Sequence, residues 1–234
     1  MAYQEITPSE FLVDYIESYW FFHNTQDSAQ RMPIIPDCCM DIIFDLSSKR
    51  VLICGVMTTA QTVTIQPNQK LYGIRFQPGI LPVILGIYAD SLQDTIVALK
   101  DVNGELYKKV QLILALSSPE EISEACNGIF EQEFKETKIN DFSTLFKEKD
   151  VVDFSVKNFA YRVGMSVRHL ERLFVEYVGV TPKRFLKIRR LQSLKKSLQD
   201  GKQALVSLSL QHGYVDQSHM NKEYKQLTGK SIMR

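Results

Sequence analysis

Apolar positions in the last third of the chain repeat. Val156, Phe159, Ala160 and Gly164 recur 49 residues later as Leu205, Leu208, Ser209 and Gly213, and Leu170, Phe174, Gly179 and Thr181 recur 50 later as Met220, Tyr224, Gly229 and Ser231. The offset changes by one only inside the turn. In each copy the first segment carries apolar residues at i, i+3, i+4 and the second at i, i+4, the pattern of two short helices packed steeply across a glycine turn. Each copy is therefore predicted to be a helix-turn-helix. Two in tandem point to a reader of double-stranded DNA, because each can lay its second helix in a major groove.

The same pattern decides which residues face out. Ser166 is a favourable N-cap, so the first recognition helix is predicted from Val167 to about Val178, with Leu170, Leu173, Phe174 and Tyr177 inward. Arg168, Glu171 and Arg172 are left outward near the end that enters the groove. An arginine fork can bond O6 and N7 of guanine together, while Glu171 can accept from a cytosine amino group or hold Arg168 or Arg172 in position. In the second copy Asp216 caps the helix, Met220, Tyr224 and Leu227 face in, and Gln217, Ser218, Asn221 and Lys222 face out. Gln and Asn suit adenine edges, and Lys suits guanine or phosphate. Between the copies, Thr181 and Pro182 open a helix predicted to reach about Leu198, with its own stripe of Phe185, Ile188, Leu191, Leu194 and Leu198. At ~1.5 Å per residue this rod is on the order of 25 Å long, and it sets the two readers toward the ~34 Å of one DNA turn. Lys183, Arg184, Lys187, Arg190, Lys195 and Lys196 are candidates for phosphate contacts, some of them only solvating the helix.

The first half has a different rhythm. Pro8 to Trp20 reads as a short amphipathic helix with Phe11, Leu12, Tyr15, Ile16 and Tyr19 on one side. Strand signals follow at Met40 to Leu46, Arg50 to Met57, Gln61 to Gln66 and Lys70 to Gln77, separated by turn-forming stretches. A helix is expected over Leu106 to Leu116. A second runs from Pro119 to Phe134, with Ser118 as N-cap and a stripe of Ile122, Ala125, Cys126, Ile129 and Phe130 that must bury against its own barrel or against a second copy. The charged stretch at 138–150 reads as a linker. The expected fold is an α+β N-terminal domain over residues 1–137, a small antiparallel barrel or sandwich with helices, followed by an all-α tandem helix-turn-helix domain over 151–234. Trp20, Tyr72, Arg75 and Phe76 are candidates to line an interior pocket, but Arg75 is equally a structural partner for Asp41 or Asp45.

Charge sharpens the division. Residues 151–234 hold 16 Lys and Arg against 6 Asp and Glu, a surplus of +10, while residues 1–150 hold 12 against 21, a balance of −9. A basic segment on an acidic one suggests a polyanion-binding domain joined to one that avoids the polyanion. Cys38, Cys39, Cys54 and Cys126 form no C-x-x-C pair, so no metal site or disulfide framework is expected, and no cofactor. The histidines have no Ser, Cys or carboxylate partner at motif spacing and no phosphate loop is present, which argues against an enzyme. Without an apolar run near ~20 residues or a secretion signal, a soluble cytoplasmic protein without membrane partners is expected. A different class remains open, a protein-interaction module that keeps the helix-turn-helix scaffold without reading DNA.

The segments GMSVRHLERLF and GVTP and the GY…DQSH…K stretch resemble the DNA-binding domain of the AraC/XylS family of bacterial transcription regulators, over about the last 80 residues. The resemblance implies two helix-turn-helix units joined by a long helix. It also implies regulation by a small molecule or by homodimer formation, with RNA polymerase as a partner. The second copy departs from the family at Ser209, at Met220 and Tyr224, where phenylalanines are expected, and at Ile232, where proline is expected. IESYWFF, PDCCMDIIFDL and GIRFQPG resemble a sensor-type domain found ahead of such regulators, with Cys38 standing where that pattern has a glycine.

Overall fold

The computed structural model describes residues 2–137, 155–199 and 204–232. The expected linker at 138–150 lies outside the described residues. The N-terminal domain is built on β1 (Ala2–Ile6), β2 (Ile16–His23), β3 (Gln30–Ile34), β4 (Met40–Asp45), β5 (Arg50–Cys54), β6 (Gln61–Ile65), β7 (Lys70–Phe76) and β8 (Ile96–Ala98). Six of them form an antiparallel sheet in the order β1-β2-β7-β4-β5-β8, and β3 pairs with β6 as a separate two-stranded ribbon.

Where a helix was expected over Pro8 to Trp20, the chain makes a turn, with the Leu12 amide on the Ser9 carbonyl at 2.8 Å, and then enters β2. The register of β2 against β7 shifts between Ile16 and Ser18. That bulge puts Ile16 and Tyr19 on one face although they are three apart, so a strand carries a helical spacing. The aromatic run that follows favours the sheet.

Period-two alternation then sorts the sheet into two faces. Tyr19, Ile42, Phe44, Ile53, Tyr72, Ile74 and Phe76 are fully buried on one. Against it lie α1 (Ile80–Leu85), α2 (Leu99–Val102), α3 (Gly104–Val110) and α4 (Pro119–Glu136). The helix expected over Leu106 to Leu116 is therefore split, because the chain tightens into a 3-10 turn at Gln111–Ala115. Ser118 and Glu121 close a capping box at the start of α4. Its stripe is buried on its own sheet: Phe130 packs edge-on to Phe76 at 5.3 Å, and Ser123 and Asn127 meet the Tyr72 and Tyr19 hydroxyls at 2.8 and 2.9 Å. Of the two destinations open to that stripe, the intramolecular one is occupied, and Ile122 is fully enclosed.

The C-terminal domain consists of α5 (Val156–Arg162), α6 (Val167–Val178), α7 (Pro182–Gln199), α8 (Leu205–Gln211) and α9 (Gln217–Thr228). The sequence repeat is a backbone repeat. Gly164 and Gly213 turn each unit at φ +68° and +71°, and Gly179 and Gly229 end each recognition helix at φ +77° and +72°, a left-handed region that glycine enters without strain. Phe174 is the centre of the first unit, edge-on to Phe159 at 5.7 Å and to Phe185 at 5.1 Å. This core is continuous with that of the N-terminal domain, whereas Leu194, Leu205, Leu208, Tyr214 and Met220 form a smaller cluster of their own in the second unit. A buried ion pair joins that unit to α7. Arg190 bonds Glu223 through Nε at 3.0 Å and Nη2 at 2.8 Å, reaches the Gly213 carbonyl at 3.2 Å, and lies over the Tyr214 ring at 4.3 Å.

Two stability outcomes follow from this packing. Ile122→Asp places a carboxylate between α4 and the sheet and should cost about 4 kcal/mol or more in chemical denaturation; a folded variant with weaker self-association would instead make this stripe an interface. Glu223→Ala removes the carboxylate that neutralises a buried guanidinium and should cost ~3 to 5 kcal/mol, much of it recovered when Arg190 is replaced by Met in the same chain. A loss under ~1 kcal/mol for the single change would show that the pair does not hold the second unit.

Candidate nucleic-acid interface

Both recognition helices begin at an exposed cap. The Ser166 hydroxyl accepts the His169 amide at 3.2 Å and an Asp216 carboxylate oxygen accepts the His219 amide at 2.7 Å, so equivalent residues start α6 and α9. Behind the first cap, Arg168, Glu171 and Arg172 are all exposed. Arg172 is held by Glu176, one turn on, at 3.1 Å, and its other nitrogen lies 3.3 Å from His169 Nδ1. The partner of Arg172 is thus Glu176 and not the expected Glu171, which as its immediate neighbour does not face it on the helix. This ties the guanidinium along the helix.

On α9, Ser218 and Lys222 are exposed, and Gln217 and Asn221 are half-buried. The Asn221 carboxamide oxygen is buried and meets no donor. It is turned away from the outer surface, a poorer posture for the two-point reading of adenine than the sequence suggests.

The long helix keeps fewer phosphate candidates than its composition offers. Lys183 and Lys196 are exposed. Arg184 donates to the Thr58 carbonyl of the N-terminal domain, Lys187 lies 3.5 Å from Glu223, and Arg190 is buried on the same carboxylate. Lys195 is half-buried, and burial lowers its pKa against the pull of Asp37. The reason is geometric, since α7 is covered on more than one side. Glu223, which sequence reasoning passed over, organises this cluster; a lone acid on an otherwise basic recognition helix was its only signal.

The N-terminal domain meets the helical domain at the C-terminal ends of both recognition helices. Gln93 Nε2 donates to the Gly179 carbonyl at 3.0 Å, the Ala60 amide to the Leu227 carbonyl at 3.2 Å, and Gln192 Nε2 to the Pro36 carbonyl at 2.6 Å. A Cβ on Gly179 would lie 2.6 Å from Val56 Cγ1 and 3.1 Å from the Ala89 carbonyl oxygen. The opposite, N-terminal ends of α6 and α9, which carry the outward side chains, are left open.

Of the residues expected around an interior pocket, Trp20 and Arg75 line a cavity, while Tyr72 and Phe76 point to the other face of the sheet and fill the core. Arg75 lies 3.5 Å from Asp41, as one of the two expected pairings has it, and also 3.4 Å from Asp37; Asp45 goes to Arg50 at 3.7 Å. Cys38 adopts φ +67°, the left-handed backbone that explains why glycine suits this place. All four cysteines are free and buried, which pushes their thiols up, Cys54 to about 12. Among the described residues no group of three or more His, Cys, Asp or Glu could hold a metal ion, and no helix is long and apolar enough to cross a membrane.

Comparison with known proteins matches the chain in two places. Residues 4–98 match a family described as "Domain of unknown function (DUF6597)", and residues 159–234 match one described as "Helix-turn-helix domain". An HTH-type transcriptional regulator from Haemophilus influenzae is 32% identical over 73 residues, 31% of this chain. The chain covers about a quarter of that relative, 24% of its length. The crystal structure of a transcriptional regulator from Chromobacterium violaceum, of the AraC-type DNA-binding domain-containing proteins, is 31% identical over 33% of this chain and 69% of its own, with a TM-score of 0.32. ToxT from Vibrio cholerae, bound to (E)-4-(8-methylnaphthalen-1-yl)but-3-enoic acid, is 13% identical over 99% of this chain and 97% of its own, with a TM-score of 0.45. Residues 159–234 thus carry a helix-turn-helix domain and are similar to those of AraC-type transcription regulators.

Proposed function

We propose that this chain is a sequence-specific double-stranded DNA-binding transcription regulator in which α6 and α9 each enter a major groove. The observation that carries the reading is a duplicated, capped helix whose open N-terminal end presents Arg168, Glu171 and Arg172 on a segment with a surplus of +10. Arg168 and Arg172 read guanine, Glu171 accepts from cytosine or orients its neighbours, and Gln217, Ser218, Asn221 and Lys222 form the second reader. Lys183 and Lys196 take phosphates; Arg184 and Lys187 can join them only by leaving Thr58 and Glu223. The first unit dominates specificity, because Asn221 is turned inward and the second unit rests on a smaller core.

In this reading the protein works in the cytoplasm, the N-terminal domain holds a small-molecule effector, and RNA polymerase is the protein partner. Exposed Val206, Leu210 and Val215 on the second unit offer an apolar surface for such a partner. A homodimer would have to use a surface other than the buried stripe of α4. The same exposed residues are what favours the other reading, an interaction module without specific DNA binding.

Salt and mutation separate the two readings. Duplex binding should weaken steeply with salt, with a log-log slope of several units from counterion release. Arg172→Ala should cost about 1 to 3 kcal/mol and relax preference at one base position, while Lys196→Ala should weaken all sequences alike and lower the slope by about 1. Both variants should melt as the parent does. A flat salt response, or equal affinity for all duplexes in the parent, favours the interaction module.

A further inference from the structure

Between the sheet face turned away from α4 and the β3–β6 ribbon lies a half-open cavity of about 510 Å³, within the roughly 300 to 1,000 Å³ of small-molecule sites. Strand register orders its floor. Arg75 stands across from Asp41 and Asp41 across from Cys54, a polar row; the next row is Trp20, Gly73, Ile43 and Leu52. Met32 and Val63 line it from the ribbon. The Trp20 indole covers the sheet where residue 73 has no side chain, since a Cβ there would sit 2.0 Å from its Cε2. Its Nε1 donates to Asp41 Oδ2 at 2.8 Å.

In the polar row two carboxylates share one guanidinium. Asp37 and Asp41 approach the same Arg75 Nε at 3.4 and 3.5 Å, yet that nitrogen is buried and makes no hydrogen bond. Burial pushes the Asp37 carboxyl up to about 6 and also raises that of Asp41, against the pull of the guanidinium. Asp45, the third carboxylate, is satisfied by the Ser47 and Ser48 amides, Gln69 and Arg50. Asp37 and Arg75 also line a second cavity of about 300 Å³ at the domain seam, together with Glu17 and with Arg189 and Lys195 of α7.

We propose that the larger cavity binds a protonated amine carried on a flat apolar body, with the ammonium between Asp37 and Asp41 and the body against Trp20. Asp37 accepts the Cys39 amide at 2.9 Å and Asp41 the Trp20 indole, but only one guanidinium stands beside the pair; an ammonium adds a second positive charge and further donors, and the indole face adds attraction for a cation. A carboxylate ligand would meet two like charges, which stand 3.4 and 3.5 Å from the one guanidinium of the row. The proposal rests on the reading of the N-terminal domain as the effector-holding part of a regulator, and names the effector's class.

Trp20 is the chain's one tryptophan, so its fluorescence reports this cavity alone. The full chain is titrated with phenylbutylamine, phenylbutanol and phenylbutanoate, and its duplex affinity is measured on the same preparation. The amine should bind at least tenfold more tightly than the alcohol, and the carboxylate most weakly. Asp41→Asn keeps an acceptor for the Trp20 indole and should erase most of the amine's advantage while leaving the alcohol's affinity unchanged; Asp37→Asn should do the same if the first variant fails to fold. Tighter binding of the carboxylate, equal binding of all three, an equal loss of all three in the variants, or no response from Trp20 would each overturn the proposal. Loss of duplex binding with the amine preference intact would sink the regulator reading and leave the site standing, whereas duplex binding without an amine response would do the reverse.

Discussion

The buried pair of Arg190 and Glu223 is the joint on which a two-reader account depends. Two helix-turn-helix units on a flexible tether would read independently, but here α7 runs from one to the other and its guanidinium closes on a carboxylate of the second recognition helix at 2.8 to 3.0 Å. The small second core has few apolar residues to fix its own orientation. A fork-to-carboxylate pair with a third bond to Gly213 fixes distance and angle together. An ion pair in this place contributes orientation more than stability, since desolvating two charges offsets most of their attraction.

The first unit is held differently. Gly179 ends α6 in a left-handed turn and also brings its backbone against Val56 and Ala89, so one residue answers a conformational and a steric demand. The N-terminal domain grips the C-terminal ends of both recognition helices through Gly179 and Leu227 and leaves their caps at Ser166 and Asp216 exposed. Docking of the domains and access to a groove are therefore compatible. Because Asp37 and Arg75 line both the barrel cavity and the seam cavity against α7, a charge placed in the first is within reach of the helix that spaces the readers.

Much of the C-terminal domain was legible because its determinants are local. Caps at Ser166, Thr181 and Asp216 and left-handed glycines at 164, 179, 213 and 229 act within a few residues of themselves. Strands β4 to β7 were legible for the same reason. What escaped was set at long range. Ile16 and Tyr19 have a helical spacing that only the bulge against β7 resolves into a strand. Arg184, Lys187 and Arg190 resemble any other cations of a basic helix until Thr58 and Glu223 arrive from elsewhere in the chain. Arg172 is exposed as expected, while its partner is Glu176, one turn on, which sequence reasoning did not single out.

The central claim is that α7 holds two DNA readers at one fixed spacing. The most direct measurement is affinity for a duplex selected from random sequence, compared with the same duplex after inserting about five base pairs, half a helical turn, between its two contacted segments. A rigid pair of readers predicts that the insertion abolishes the contribution of one half-site and lowers affinity to that of a single site, and that about ten inserted base pairs do not restore it, because the rod spans only one turn. Equal affinity for the parent and the inserted duplexes, with both segments still protected, would contradict the account.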